Sequence, residues 1–258
     1  MLPVDLKRYL VLLGWGAARS MPIVWLIPAF GGPTIPVQVR LALGLALSGL
    51  CLPLLSGHAP EVSAPLWPVL AAREVVVGIV MGLACACWFR ASEAAGRLVD
   101  AFRGVGWVDG LSPVGGERSS PLASLMLLLA VFVFLEIGGI RHVALALAQS
   151  YQAIPLSAQP GAPSHAMAAA VVLASGKLIE SALGLSAPVL VSLVLADLLL
   201  GAIGRAAPQM PIQSVGVPLK ALLGVGVVLL GLGGIEVALR GSLAGFLTLA
   251  RAALESGQ

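Results

Sequence analysis

The sequence predicts an all-α membrane protein in which about six hydrophobic stretches form bent helical hairpins, several of them broken at Pro or Gly. Composition is the first reason. Hydrophobic residues make up 59% of the 258 positions and charged residues only 10%, whereas a soluble domain carries about 25% charged residues. The second reason is that the long runs are rich in Leu, Ala and Gly and lack the alternation of a membrane β-barrel. We therefore expect lipid or other apolar subunits to cover most of the surface.

Six stretches approach the length of about 20 apolar residues that a helix needs to cross the hydrocarbon core. They are residues 9–30, 37–55, 69–89, 122–148, 166–204 and 219–250. Lys7 and Arg8 precede the first stretch as they would in a signal peptide, but the apolar character continues past Arg19. We therefore expect a retained membrane helix there. Clusters of Pro and Gly separate the stretches, because proline fixes φ and removes a backbone donor.

Two of the stretches are too long for one simple crossing, since a helix rises about 1.5 Å per residue. In residues 166–204 we expect Pro188 to produce two half-helices or a kinked hairpin. In residues 219–250 we expect a bend at the glycines of positions 231–234. The connection between these two stretches is predicted to run from Pro208 to Pro218.

Residues 90–118 form the only extended polar region of the sequence. Its beginning, around Glu93 and Arg97, is predicted to continue the third helix as an amphipathic end. Its later part, residues 104–113, contains too many Gly and Pro residues for regular helix. Two interpretations stay open for it: a solvated surface loop, or irregular backbone that lines a cavity inside the protein.

Ionisable side chains within the apolar stretches cost about 2.5–3.5 kcal/mol each on insertion scales and often indicate function. They are Arg19, Glu136, Lys177, Glu180, Asp197, Glu236 and Arg240. Two pairs at helical spacing, Lys177–Glu180 and Glu236–Arg240, are predicted to neutralise each other. The other three have no such neighbour, so we expect them to meet another helix, another subunit or water. Close helix packing is further indicated by the GxxxG pairs at positions 78/82 and 241/245.

Enzymatic, metal-binding and nucleic-acid-binding patterns are missing from the sequence. The three histidines lie far apart without the HExxH spacing, and neither a phosphate-binding loop nor GxSxG occurs. Cys51, Cys85 and Cys87 lie in apolar stretches and are predicted to be small buried hydrophobic residues. The basic residues are scattered singly rather than interleaved with aromatics. We therefore predict no catalytic site, no cofactor, no metal and no nucleic-acid partner.

A set of polar, Pro and Gly positions follows a characteristic order along nearly the whole chain. Its members are Arg19, Pro28, Arg40, Pro188, Asp197, Arg205, Pro208, Gln209, Pro218 and Lys220, with Arg73–Gly78, Ala95–Asp100 and Ser150–Tyr151 between them. This order resembles the T subunit family of type III secretion export apparatuses, which is related to the flagellar R protein. Members of the flagellar branch usually have Asn soon after the Pro-Gln pair, where Met210 to Gln213 stand here. The resemblance therefore favours an injectisome over a flagellum.

The resemblance implies a function that composition does not show. It implies that residues 1–258 form a single membrane domain of an export gate in the bacterial inner membrane, assembled in a position displaced toward the periplasm. One copy would complete a helical ring with several R- and S-type subunits, next to a U-type subunit, and would pass unfolded exported proteins. It further implies a channel plug over roughly residues 106–120. The residues assigned to the plug are Gly106, Trp107, Asp109, Leu111, Pro113 and Glu117.

Two alternatives remain open at this point. An ion or small-molecule transporter would use Lys177, Glu180 and Asp197 near a broken helix, as discontinuous helices do in transporters. A purely structural assembly scaffold would need no plug. Membrane orientation also stays open: counting Lys and Arg in alternate loops puts both termini outside, but bent helices weaken that rule.

Overall fold

The computed structural model of this chain describes residues 4–31, 35–55, 67–104, 120–156, 165–207, 209 and 212–255. Nearly all of these residues are helical, and no strand occurs among them. The helices are α1 (Val4–Leu26), α2 (Pro28–Gly31), α3 (Val37–Leu55), α4 (Trp67–Phe102), α5 (Pro121–Glu136), α6 (Gly139–Ala153), α7 (His165–Ala206), α8 (Ile212–Leu230) and α9 (Leu232–Glu255). The predicted all-α fold is confirmed.

Length and apolar character allow four helices of the described chain to cross a membrane by themselves. Their apolar spans are Tyr9–Leu26, Val37–Leu55, Trp67–Phe102 and Met167–Ala206. Two bent helix pairs raise the number of spans to six if each pair counts as one: α5 with α6, bent by 70°, and α8 with α9, bent by 62°. The predicted bent, multi-pass architecture is therefore confirmed.

The second and third predicted stretches agree well with the helices. α3 has the bounds predicted for residues 37–55. α4 continues beyond residue 89 to Phe102, as the amphipathic pattern indicates. In that extension Glu93 accepts hydrogen bonds from Arg90 and Arg97, each at 2.6 Å. Such pairs three and four residues apart stabilise an exposed helix face.

Two further predicted stretches contain a break at a position that is not predicted, in agreement with a fold in which several stretches are broken at Pro or Gly. Residues 9–30 divide into α1 and α2, because Pro28 disfavours helical backbone at the residue before it. Residues 122–148 divide into α5 and α6 at Gly138, whose φ of +71° lies in the left-handed region. Only glycine adopts that conformation readily, so the Gly138 backbone ends one helix and begins the next.

The predicted division at Pro188 is wrong, because α7 continues as one helix of 42 residues through that proline. Proline is tolerated inside membrane helices where nearby groups and local adjustment satisfy the freed backbone. Pro188 deprives the Gly184 carbonyl of its donor, and Gly184 has open space where a side chain would lie, so the backbone can adjust there. The hydroxyl of Ser186 donates to the Ala182 carbonyl at 2.9 Å in the same turn. The predicted bend at positions 231–234 is confirmed between α8 and α9.

Prolines near the start of α8 are also placed differently from the prediction. The connection predicted to reach Pro218 ends earlier, because α8 begins at Ile212 and contains Pro218. A proline removes only the one hydrogen bond to the carbonyl four residues earlier, and that bond lies close to the helix start.

The chain forms two compact units, of which the first comprises Met1–Cys87, Phe134–Lys177 and Ala244–Gln258. In it, α1 packs on α3 through two serines: Ser20 donates to the Gly44 carbonyl and Ser48 to the Leu13 carbonyl, each at 2.8 Å. α1 also packs on α4, where a Cβ at position 78 would overlap the Arg19 carbonyl oxygen.

The two GxxxG predictions have different outcomes. At positions 78 and 82 the motif is confirmed as a helix contact, because a Cβ at Gly82 would lie 3.0 Å from the Ile23 Cα. At positions 241 and 245 it is not, because a Cβ at Gly241 would meet nothing within 4 Å in the described chain. In the first unit, a Cβ at Gly245 would lie 3.0 Å from Cε of the flexible Lys177 side chain rather than against another backbone.

The second unit comprises Trp88–Val133 and Leu178–Leu243. The backbones of α4 and α5 touch in it, since a Cβ at Gly96 would lie 2.5 Å from the Ala123 Cα. The indole of Trp88 is fully buried and donates to the Ser242 hydroxyl of α9 at 2.9 Å. Glycine contacts and one buried indole thus hold α4, α5 and α9 together.

Candidate functional site

Arg19 is fully buried in the first unit and joins three helices. Its Nε donates to Glu74 Oε2 of α4 at 2.7 Å. Its Nη1 donates to the Ser150 hydroxyl of α6, and its Nη2 to the Ile154 carbonyl just after α6, both at 3.0 Å. The guanidinium also lies 4.2 Å from the ring centre of Tyr151. These five residues are called the Arg19 network below.

The chemistry of arginine explains this arrangement. Guanidinium presents five donors in a rigid planar fork, so one side chain can bind several acceptors at once. Additional hydrogen bonds help to offset the cost of burying an ion pair, and each of the three guanidinium nitrogens of Arg19 has a hydrogen-bond acceptor. Glu74 Oε2 accepts the hydrogen bond from Arg19, whereas Glu74 Oε1 has no hydrogen-bond partner among the described residues. The prediction that Arg19 meets another helix is confirmed.

A second buried cluster lies where α4 ends and α5 begins. Asp100 Oδ1 accepts a hydrogen bond from Arg103 Nη1 at 2.6 Å. Asp100 Oδ2 accepts from the Ser120 hydroxyl at 2.7 Å and from the Leu122 N–H at 2.9 Å. All three hydrogen bonds to the Asp100 carboxylate are strong because the acceptor is charged. Asp100, Arg103 and Ser120 are called the Asp100 clamp.

Local sequence accounts for the helix ends that the clamp connects. α4 ends at Phe102, and Gly104 follows with φ +81°, the left-handed conformation that commonly terminates helices. α5 begins with Pro121, a residue favoured at the first helical position, after Ser120. The Asp100 carboxylate then supplies the acceptor that the first N–H groups of α5 lack.

The clamp extends to a third helix through Arg103. Its Nε donates to the Ala221 carbonyl of α8 at 3.1 Å. The stem of Arg103 lies against Gly224, where a Cβ would be only 2.5 Å from the Arg103 Cδ. The Asp100 carboxylate thus binds Arg103 just after α4 and Ser120 just before α5, and Arg103 also binds α8. The plug residues predicted from the resemblance lie outside the described residues: Gly106, Trp107, Asp109, Leu111, Pro113 and Glu117.

Asp197 and Lys220, both members of the resemblance set, form an ion pair between α7 and α8. Lys220 Nζ lies 2.9 Å from Asp197 Oδ1, and the side chains are 18% and 48% exposed. The prediction that Asp197 meets another helix is confirmed. Because the Asp197 side chain is about half exposed, the pair lies at the surface of the second unit. An ion pair at a surface contributes little to stability.

The remaining predicted residues are distributed over the fold. Arg40 lies over the Trp25 ring, 5.2 Å from its centre, and Arg205 lies in the last turn of α7, where a cation suits the helix dipole. Gln209 is exposed, and Pro208 lies outside the described residues. The remaining prolines of the set, Pro28, Pro188 and Pro218, lie within helices α2, α7 and α8.

The predicted intrahelical ion pairs have separate outcomes. Glu236 and Arg240 form theirs, with Arg240 Nη2 2.6 Å from Glu236 Oε1. Lys177 and Glu180 lie one turn apart on α7, and their pairing stays a prediction. Glu136 is the exposed last residue of α5, immediately before the bend.

Two of the three cysteines are buried, as predicted for small hydrophobic residues. Cys51 and Cys87 are buried, whereas Cys85 is partly exposed, and all three thiols are free. In the part of the chain that the structure describes, no three His, Cys, Asp or Glu side chains gather closely enough to hold a metal ion.

Sequence reasoning missed the partners of both buried clusters. Glu74 carries the same signal as Arg19, an ionisable side chain inside a predicted span, and that signal could have paired them. Asp100 and Ser120 lie on either side of the polar segment without any spacing rule that connects them. Their chemistry is typical of helix capping, which is visible only once α4 and α5 are adjacent.

Replacing Asp100 with alanine is expected to lower the free energy of unfolding by about 2 kcal/mol, because Arg103, Ser120 and the Leu122 N–H lose their shared acceptor. Denaturant titration of the purified full-length chain in detergent, followed by circular dichroism, measures this loss. Asp197→Ala is the matched control, since that carboxylate is half exposed and binds one lysine. Equal losses in the two variants would contradict a special role for the clamp.

Comparison with known proteins decides the family of this chain. Residues 10–244 match the family model described as "Bacterial export proteins, family 1". The chain belongs to this family. Among its relatives, the flagellar biosynthetic protein FliR of Pectobacterium carotovorum subsp. carotovorum is 28% identical over 88% of this chain and 86% of its own length. The surface presentation of antigens protein SpaR of Shigella sonnei is 29% identical over 84% of this chain and 83% of its own length.

A third family 1 relative agrees with the predicted resemblance most directly. The Yop proteins translocation protein T of Yersinia pestis is 27% identical over 63% of this chain and 62% of its own length. The resemblance to the T subunit family, related to the flagellar R protein, is therefore confirmed. As a family 1 export protein with four to six apolar spans, the chain is a membrane component of bacterial protein export and not an enzyme.

Proposed function

We propose that this chain is a core subunit of the export gate of a type III secretion system, where it completes a helical pore ring with R- and S-type subunits. Roughly residues 106–120 act as a plug in the closed channel, with bulk supplied by Trp107, Leu111 and Pro113. The ring lies in the bacterial inner membrane, displaced toward the periplasm, and a U-type subunit and unfolded exported proteins are its other partners.

The observation that carries the plug proposal is the Asp100 clamp. Because one carboxylate binds both Arg103 and Ser120, the polar segment leaves and rejoins the helices at the same place. A segment that obstructs a pore and moves aside for a substrate needs fixed ends, so that it returns to the same position. The clamp supplies such ends on α4 and α5, with Arg103 bound to α8 as well.

Apolar surface supports the ring proposal. Only 17% of the α3 span and 28% of the α7 span are buried within the chain. The large hydrophobic side chains that face outward include Val172, Val191, Leu198, Leu199, Leu222 and Leu230. Contiguous apolar surface of this kind is typical of membrane or subunit contacts, and a subunit that sits between several others needs it on more than one side.

The transporter alternative loses its main support. It depends on a broken helix near Lys177, Glu180 and Asp197, as in transporters with discontinuous helices. α7 is continuous from His165 to Ala206, and Asp197 is bound to Lys220. The scaffold alternative is separated from the gate by the following experiment.

Replacing residues 106–119 with a short Gly-Ser linker, and keeping Ser120 so that the Asp100 clamp stays intact, is expected to make the assembled complex leak ions. The physical reason is that the linker removes the side chains that obstruct the closed pore, while the helices that form the ring are unchanged. The complex is purified with its R-, S- and U-type subunits, and its conductance is measured in planar bilayers.

The same linker in place of residues 56–66, another polar connection of the chain, is the control and should leave the conductance low. An assembled plug-replacement complex with unchanged conductance would overturn the plug assignment and favour the scaffold. Failure of the unaltered chain to copurify with R- and S-type subunits would contradict the ring. Solute flux through the reconstituted chain alone would favour the transporter.

A further inference from the structure

An open groove lies between α3 and α6 in the first unit. It has a volume of about 560 Å³ and is lined on one side by Leu47 and Leu50 and on the other by Ile140, Leu145 and Ala148. Volumes of about 300–1,000 Å³ are usual for ligand clefts. Leu50, Ile140 and Leu145 are strongly exposed within the chain, so the groove faces the surroundings of the protein rather than its core.

One charged side chain lines this apolar groove, that of Arg141. Arg141 is exposed and lies in the first turn of α6. No ion pair or side-chain hydrogen bond of Arg141 occurs within the described residues. Its position beside the positive end of the helix dipole is unfavourable by itself, and an arginine within a span is costly unless it pairs. Within the described residues, Arg141 therefore has no counter-anion.

Backbone groups next to Arg141 favour an anion at the same place. α6 begins at Gly138 without a side-chain cap. The N–H groups of Arg141 and His142 bind the Gly138 carbonyl, whereas those of Gly139 and Ile140 have no acceptor in the described chain. The N–H group of Ile140 and the guanidinium of Arg141 thus belong to residues that line one mouth of an aliphatic groove, and N–H groups at a helix start bind phosphate well.

We propose that this groove binds one anionic phospholipid, with its phosphate at Arg141 and the start of α6 and an acyl chain along Leu47, Leu50 and Leu145. Charge favours an anionic lipid, since a phosphate supplies the counter-charge that the described residues do not provide for Arg141, and a hydrocarbon chain matches the rest of the lining.

The test measures binding of labelled phosphatidylglycerol and of labelled phosphatidylcholine, with the same acyl chains, to the purified full-length chain in detergent. We expect phosphatidylglycerol to bind more tightly, and Arg141→Gln to weaken it about tenfold through loss of one charged hydrogen-bond donor. Ala144→Leu, which fills the groove beside Arg141, should weaken both lipids. Arg97→Gln is the matched control, because Arg97 is an exposed arginine of the second unit, and should bind both lipids as the unaltered chain does.

Further arms separate the possible occupants. Glycerol phosphate tests for an anion site without a lipid chain, and competition as strong as that of phosphatidylglycerol would overturn the proposal. Equal binding of the two lipids, or an unchanged affinity in Arg141→Gln, would do the same. In the assembled complex, a photoreactive leucine analogue at position 50, which lines the groove, should crosslink to lipid. Crosslinking to a neighbouring subunit instead would show that a protein helix fills the groove and would overturn the lipid assignment.

Discussion

Replacing Arg19 with methionine is expected to lower the free energy of unfolding by about 3–5 kcal/mol, the range found when one partner of a buried ion pair is removed. The substitution leaves Glu74 buried without the arginine as its counter-charge. It also removes the N–H groups that donate hydrogen bonds to Ser150 Oγ and to the Ile154 carbonyl. Methionine keeps the volume and helix propensity of the site similar, so the loss reports the polar network. Denaturant unfolding of the full-length chain in detergent, followed by circular dichroism, is the measurement.

A double-mutant cycle distinguishes the ion pair from simple packing. Arg19→Met combined with Glu74→Leu removes both charges, and replacement of a whole buried pair by apolar residues is often close to neutral. We therefore expect the double variant to recover much of the stability that Arg19→Met loses. Arg97→Met, at an exposed pair where Glu93 keeps Arg90, should cost less than about 1 kcal/mol. A double variant as unstable as the sum of the single ones would contradict the argument.

Replacing Gly78 with alanine is expected to lower the free energy of unfolding by about 3 kcal/mol, at the upper end of the usual effect of overpacking. The new Cβ would overlap the Arg19 carbonyl oxygen, which is backbone of α1 and cannot turn aside as a side chain can. Separation of α1 from α4 would also lengthen the hydrogen bond from Arg19 to Glu74. The same denaturant titration in detergent measures the effect.

Gly14→Ala on α1 is the matched control for this substitution. Gly14 is exposed, and a Cβ there would meet nothing within 4 Å in the described chain. Alanine should therefore stabilise the helix slightly, by up to about 1 kcal/mol, through its higher helix propensity. A Gly78→Ala variant as stable as Gly14→Ala would mean that α1 and α4 do not touch at this point.

The elements that sequence predicts well are those fixed by local physics. α3 begins after Pro36 and ends before a polar connection, so hydropathy alone gives both of its ends. The bend between α8 and α9 follows from three glycines within four positions. The amphipathic end of α4 follows from the spacing of Glu93 and its two arginines. In each case the residues that decide the structure lie within one or two turns of each other.

The features that sequence does not predict depend on contacts between distant segments. Arg19 binds residues 55, 131 and 135 positions later, and no periodicity connects such positions. The break at Gly138 depends on its left-handed backbone, which a Gly-Gly pair in an apolar run permits but does not require. Pro188 illustrates the opposite case, in which a strong local signal for a break is overridden within a membrane helix.

The long sequence separation in the Arg19 network has a consequence for biosynthesis. Glu74 is translated 55 residues after Arg19 and Ser150 131 residues after it. At a rate of synthesis of about 5–20 residues per second, Glu74 follows Arg19 after several seconds, and Ser150 follows later still. During that interval the arginine is more stable at the water–lipid boundary than in hydrocarbon. We therefore expect the first helix to reach its final depth only after the later helices have been inserted.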